Sequence, residues 1–269
     1  MTGRGGIRLV LADVDGTLVA DDKLLTEAAR AAALALRRAG IGLAVTSGRP
    51  PRGMRMLVAP LALDTAIAGF NGGVYVRSDL SVIETHRLDP VAAREALGLI
   101  LAARLDAWIY TEADWLVRDK AAPPVAQEER TVQFEATPVG GFTDAHLAQA
   151  VKIVGVSDDF AAVAAAGQAV QRALGQRVSA TRSQRYYLDV THPQANKGAV
   201  VKVLSKLLHV PPAEIATIGD MPNDVLMFRQ SGFSIAMGNA SAEVKAAANV
   251  VTESNEDDGF ANAMRKFIL

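Results

Sequence analysis

The chain contains no cysteine. Disulfides, thiolate nucleophiles and cysteine-ligated zinc or iron–sulfur centres are therefore excluded, and the composition fits a reducing compartment. An excess of charge is also missing: 28 basic and 29 acidic residues leave a formal net charge of −1. That balance argues against binding dominated by a nucleic acid or a membrane surface. No run of about 18 apolar residues occurs, so no membrane span is expected. The start, Met1-Thr2-Gly3-Arg4-Gly5-Gly6, lacks the apolar stretch and small-residue cleavage site of a secretory leader, and a cytoplasmic protein is expected. Gly-x-x-x-x-Gly-Lys-Ser/Thr, Gly-x-Gly-x-x-Gly, Gly-x-Ser-x-Gly and His-Glu-x-x-His are all absent. The histidines, His86, His146, His192 and His209, show no metal-ligand spacing and read as incidental. There are no repeats, low-complexity tracts or heptads.

Core-forming material is plentiful. Half of the 269 residues are hydrophobic and 21% are charged, which excludes a disordered tail or a fibre and suits one or two domains. Residues 7–12 read as a mostly buried strand that ends at an acidic loop. Thr26 can cap a following helix that Gly40 ends. Strands are expected over 41–45 and 65–68, with a short helix near Pro50 and Pro51 between them. This alternation is the grammar of a parallel sheet with helical crossovers. Two short strands follow, at 74–77 and 82–85. From about 87 to 186 the pattern changes: a helix over 90–104, a hairpin of 107–110 with 115–117, a loop at 121–124, a strand over 151–156, a helix over 160–174 and a strand over 184–190. Trp108 and Trp115 read as packing residues of this insert. The first grammar resumes with a helix over 197–209, a strand over 214–218, a helix over 224–229 and strands at 233–236 and 250–252.

Three clusters stand just after apolar strands, where an open parallel sheet binds its ligands. Asp13-Val14-Asp15-Gly16-Thr17-Leu18 sets two carboxylates two residues apart. As like charges they favour a cation or a shared proton, although an acidic turn with solvated carboxylates explains the spacing as well. Gly219-Asp220-Met221-Pro222-Asn223-Asp224 adds two more carboxylates, and taken alone it is also an Asx-turn into a helix. Four carboxylates converging after strands are hard oxygen ligands suited to magnesium. Thr46-Ser47-Gly48-Arg49 offers hydroxyls and amides for an anion, or simply a helix cap. Lys197, in Asn196-Lys197-Gly198, matters only in their company.

The ordered set Asp13-Val14-Asp15-Gly16-Thr17-Leu18, Ser47-Gly48-Arg49-Pro50, Asn71-Gly72-Gly73, Lys197-Gly198, Gly219-Asp220-x-x-Asn223-Asp224 and Met237-Gly238-Asn239-Ala240 resembles the haloacid-dehalogenase-like (HAD) phosphatase superfamily. Within it, the chain most resembles the Cof-type subfamily with its inserted IIB cap. The resemblance implies an α/β fold: a Rossmann-like parallel-sheet core from residues 1–84 and 187–269, with an inserted α+β cap from 85–186. Linkers are expected near 84–87 and 185–188. It implies Asp13 as the nucleophile that forms an aspartyl-phosphate, and Asp15 as an acid and base that starts protonated. Magnesium would sit among the Asp13 carboxylate, the Asp15 backbone carbonyl and Asp220, with Asp224 close by. Ser47 and Lys197 would hold the phosphoryl oxygens, with Asn223 orienting the phosphate or the lysine. Arg49 and Asn71 would be further substrate contacts facing the cap, with Gly48 shaping the loop. In the cap, Lys152, Arg182 and Tyr186 are weak candidates for selecting the leaving group. The expected activity is hydrolysis of a small-molecule phosphate ester by a monomer or homodimer, without nucleic-acid or membrane partners. The competing readings are a phosphomutase of the same superfamily and an inactive binding protein on the same scaffold.

Overall fold

The structure, a computed structural model, describes residues 6–269. The leader reading rests on the first residues, and positions 1–5 lie outside the described residues. The first strand, β1 (Leu9–Asp13), is buried at every position, as a strand covered on both faces must be. Helix α1 (Glu27–Arg38) starts at Thr26, whose side chain accepts from the Ala29 N–H, and carries Arg37 and Arg38 in its last turn, where they complement the helix dipole. Next come β2 (Gly42–Thr46), a proline-started turn of 3₁₀ helix leading into α2 (Arg55–Val58), β3 (Ile67–Gly69), β4 (Val74–Val76) and β5 (Val82–Thr85).

The insert contains α3 (Pro90–Ala102), β6 (Asp106–Tyr110), β7 (Trp115–Val117), α4 (Pro123–Val132), β8 (Thr137–Pro138), α5 (Asp144–Ala148), β9 (Lys152–Val156), α6 (Phe160–Leu174), β10 (Ser179–Gln184) and β11 (Tyr187–Thr191). The chain returns through α7 (Lys197–Leu208), β12 (Ile215–Gly219), α8 (Val225–Phe228), β13 (Phe233–Ala236), α9 (Ala242–Ala246), β14 (Val250–Val251) and α10 (Gly259–Ala263).

Two sheets result. The larger has the order β14-β13-β12-β1-β2-β3-β4-β5, parallel from β14 to β3 and antiparallel from β3 to β5. Strand β1 lies between β2 and β12, so the chain order reverses there and a crevice opens beyond its carboxyl end. The smaller sheet has the order β10-β11-β9-β6-β7-β8. Its strands alternate cleanly. Ile109, Ile153, Leu188 and Val190 join the cluster formed with α3 and α6. Trp108, Tyr110, Trp115, Val154 and Tyr187 join Met54 and Phe70 of the first domain in one apolar cluster. The cap therefore lies closed on the core through its inward face. Polar contacts reinforce this, with Arg52 Nη1 donating to the Ala113 carbonyl at 3.0 Å and Lys152 Nζ to the Gly48 carbonyl at 3.4 Å.

Three details differ from the sequence reading. Strand β11 pairs along its whole length with β9, from Tyr187 opposite Val156 to Thr191 opposite Lys152. The second core segment therefore cannot start at 187, because the cap sheet continues to Thr191. The expected single strand over 184–190 is in fact the end of β10, a tight turn and β11. The expected loop at 121–124 runs into α4, whose first turn accommodates Pro123 and Pro124 because those positions need no N–H. At the crossing between domains, His86 and His192 stack with ring centroids 5.5 Å apart and planes at 19°. Among the described residues no helix is long and apolar enough to cross a membrane.

Candidate active site

Register brings the sequence clusters together. Asp13 is opposite Thr46 on β2, and Ala12 is opposite Ile218 on β12, so Ser47 and Asp220 emerge on either side of Asp13. Asp13, Asp220 and Asp224 each present a carboxylate oxygen, all within 4.8 Å of one another. Lys197, at the first turn of α7, donates to Asp13 Oδ1 and Asp224 Oδ1, both at 2.6 Å. The lysine and both carboxylates are buried. Asp224 Oδ2 accepts from the N–H groups of Asp220 and Met221, which folds the acidic loop back on itself. Gly219 leaves room for this, since a side chain there would collide with Asp224. Gly16 has φ +76°, and a Cβ on it would stand 2.5 Å from Asp220 Oδ2. The loop after β1 can approach Asp220 only because position 16 has no side chain.

The charges in this cluster do not cancel. Burial pushes the Asp13 carboxyl well above the ordinary carboxylate range; Lys197 opposes the shift, while Asp224 and Asp220 add to it. Burial and then Asp224 push Asp220 up to about 6. Burial lowers the Lys197 ammonium, but the two carboxylates outweigh it and hold the lysine charged. One ammonium among three carboxylates leaves surplus negative charge, and the donors are all hard oxygens. Such a set fits a divalent cation of the magnesium type.

The Asp15 side chain stands apart from the trio. Its two oxygens accept from Arg49 Nε at 2.7 Å and Nη2 at 2.6 Å, and Lys23 Nζ lies 3.1 Å away. Burial raises the Asp15 carboxyl, but Arg49 and Lys23 outweigh it and hold the group below its usual range. This closed arrangement favours the ionised form of Asp15, whereas the sequence reading has the group start the reaction protonated. Arg49 is likewise not a free phosphate contact: it is buried against Asp15 and also donates to the Gly53 carbonyl at 3.4 Å. Ser47 is buried, and its hydroxyl accepts from the Arg49 N–H. Asn71 has a left-handed backbone, φ 57°, and its N–H donates to the Ser47 carbonyl. Its amide lies 3.6 Å from where a Cβ on Gly48 would stand. Asn223 is exposed and has no side-chain hydrogen bond among the described residues, so the structure does not bring it into the cluster.

Some contributors had no role in the sequence reading. Thr17 Oγ1 donates to Asp220 Oδ1 at 3.4 Å, and Asn239 Nδ2 to the Gly16 carbonyl at 3.0 Å and to Asp220 Oδ2 at 3.3 Å. Both residues belong to the quoted motifs, which was the available signal. Lys23 carries no such mark, because only the turn after β1 brings it to Asp15.

Comparison with known proteins agrees with this arrangement. The family described as haloacid dehalogenase-like hydrolase matches residues 10–264. An HMP-PP phosphatase from Cronobacter sakazakii is 28% identical over 240 residues, covering 89% of this chain and 87% of its own. The crystal structure of a haloacid dehalogenase-like hydrolase from Bacteroides thetaiotaomicron superposes with a TM-score of 0.88 at 24% identity, covering 97% of this chain and 99% of its own. A HAD subclass IIB sugar phosphatase superposes with a TM-score of 0.83 at 19% identity, covering 97% and 98%. With three carboxylates gathered at the reversal point of a parallel sheet and a family match that spans both sheets, the chain belongs to the haloacid dehalogenase-like hydrolases.

Proposed function

We propose that this protein is a magnesium-dependent phosphatase that hydrolyses small phosphorylated metabolites through an aspartyl-phosphate. Sugar phosphates are the first substrate class, and phosphorylated cofactors such as pyridoxal phosphate or flavin mononucleotide the second. The named activities of the relatives, an HMP-PP phosphatase and a sugar phosphatase, support that range. The observation that carries the reading is the trio Asp13, Asp220 and Asp224 gathered around Lys197.

A carboxylate oxygen of Asp13 attacks phosphorus and the ester oxygen departs with a proton; water then attacks the phosphoryl-aspartate, restoring Asp13 and releasing inorganic phosphate. Asp13, Asp220 and Asp224 would hold magnesium, which supplies positive charge against the phosphoryl oxygens. Lys197 keeps Asp13 oriented and adds a fixed positive charge beside the developing one. Asp15, ionised by Arg49, is in the state that accepts a proton from the attacking water. For the first step it must gain a proton, and that requires the guanidinium to let go. The cap, packed on the core beside the site, would limit the bulk water around the reacting group.

Asp13→Asn should lower turnover of p-nitrophenyl phosphate by more than about 10³-fold with an unchanged circular dichroism spectrum. Chelation should silence the wild type and added magnesium restore it. Magnesium should also raise the melting temperature of the wild type, by linkage of binding to folding; this shift should vanish in Asp220→Asn. Wild-type rates in Asp13→Asn, or full activity in excess chelator, would refute the reading.

A further inference from the structure

The inward face of the cap buries three ionisable side chains for which the mechanism above has no use: Glu128, Lys152 and Asp189. Register explains two of them. Lys152 alternates onto the same face as Val154 and Val156, and Asp189 stands opposite Val154 and shares its face with Tyr187. Lys152 is 8% exposed and Asp189 is 3% exposed. Burying such groups is costly unless every oxygen and proton is used. Glu128 meets that condition, since Tyr110 Oη donates to one of its oxygens at 3.4 Å and Tyr187 Oη to the other at 3.3 Å. Lys152 donates to Asp189 Oδ2 at 2.6 Å and reaches the Gly48 carbonyl of the core at 3.4 Å. Asp189 does not meet it: its Oδ1 is enclosed and accepts from no donor.

An enclosed oxygen without a donor costs about 1–3 kcal/mol, and more when charged. Such a cost calls for an explanation, and a ligand that supplies the donor is one. A second orphan lies on the core side of the same loop. Asn71 Oδ1 is also enclosed without a donor, and its amide adjoins Gly48. Lys152, the partner of Asp189, reaches the Gly48 carbonyl, and Asn71 adjoins the same glycine, so both vacant acceptors belong to side chains grouped around the loop expected to hold the phosphoryl group.

We propose that Asp189 is the specificity-determining residue of the leaving-group subsite, held in place by Lys152 and complemented by Asn71. The subsite takes a leaving group that offers neutral hydrogen-bond donors, such as the hydroxyls of a polyol, and disfavours one that carries its own negative charge. Two carboxylates against one ammonium give the cap face a negative surplus that repels an anion. Vacant acceptors reward a leaving group that brings donors, and the enclosed Trp108 and Trp115 indole N–H groups on the same face leave room for one that also accepts; a hydroxyl does both. The other cap candidates fall away. Arg182 is exposed and pairs opposite Leu188, on the face turned to α6. Tyr186 is half-buried and packs edge-on against Tyr187, without an unfilled polar atom among those enclosed. The inference rests on the phosphatase reading.

The test compares kcat/KM for phosphate release from three six-carbon esters, glucose 6-phosphate, n-hexyl phosphate and 6-phosphogluconate, with p-nitrophenyl phosphate as reference. The wild type should prefer glucose 6-phosphate over the other two by about tenfold or more. In Asp189→Asn the preference over hexyl phosphate should collapse toward one, because an amide brings donors of its own. A second variant, Lys152→Gln with Asp189→Asn, keeps a neutral hydrogen-bonded pair should the single change misfold, and it should lose the preference equally. An unchanged preference in both variants, or all esters falling by one common factor as a purely structural role requires, overturns the proposal. So does a wild type that turns over p-nitrophenyl phosphate without favouring glucose 6-phosphate. If the wild type releases phosphate from none of the four, the phosphatase reading itself has failed.

Discussion

The two charged surfaces that meet at Gly48 handle buried charge in opposite ways. In the core, carboxylates from separate strand ends crowd around a single ammonium, and the surplus negative charge suits a cation. On the cap, Glu128 is satisfied by two tyrosines and Lys152 by Asp189 and a core carbonyl, and the one ionisable atom left without a donor is an oxygen of Asp189. The core is strained toward charge, and the cap toward a hydrogen-bond donor. A phosphate ester has these two ends: an anionic group with its counter-ion, and a neutral organic remainder.

Removing the two lysines in turn tests that contrast most strongly. Lys197→Met leaves two carboxylates without their partner, and stability to urea should fall by about 3–5 kcal/mol. Lys152→Met abandons only one, and the loss should sit at the lower end, about 3 kcal/mol. An equal or reversed order in the urea midpoints would mean that the core cluster is no more strained than the cap pair. Arg49→Gln probes the group between the two surfaces. Asp15 is held below its usual range when folded, so it adds stability above the unfolded value near pH 4, and that contribution is lost as pH falls through the folded value. The variant should cost about 1 kcal/mol at neutral pH, after allowance for partial solvent exposure, and less as pH falls below 4. Urea titrations at pH 3 and 7 read the difference.

The smallest effect concerns the junction itself. Burial, and then His86, depress His192 below its usual value. A depressed histidine stabilises the fold above the unfolded value near 6.5, and the contribution disappears as pH falls through the folded value. His192→Gln should therefore flatten the drop in melting temperature between pH 7 and 5.5 by about 1 °C, because much of the ring remains in solvent. A steeper drop in the variant would remove His192 from the junction's pH response.

Legibility in the sequence followed chemistry. The core motifs stood out because each comes at the end of an apolar run, and a parallel sheet converts that position into proximity. Asp13, Lys197, Asp220 and Asp224 are brought together accordingly. The state of Asp15 was not legible, because it is set by Arg49 and Lys23, which only tertiary folding brings to it. The cap was read least well. In a two-period strand a functional side chain looks like any inward residue, so Asp189, inside Tyr187–Thr191, carried a single sign: an acidic residue in an otherwise buried run. That run was also what misplaced the boundary, since a fully buried strand does not announce which of two sheets owns it.

Strand β11 and helix α7 are parts of one short stretch of chain. Asp189 sits on the former and Lys197 opens the latter, with Asn196 accepting the Ala199 N–H at 2.9 Å to fix the corner. Only the turn at 192–196 therefore separates the last strand of the cap sheet from the lysine that pairs with Asp13 and Asp224. Residues spliced in between 192 and 195 would lengthen that link while leaving both of its ends intact.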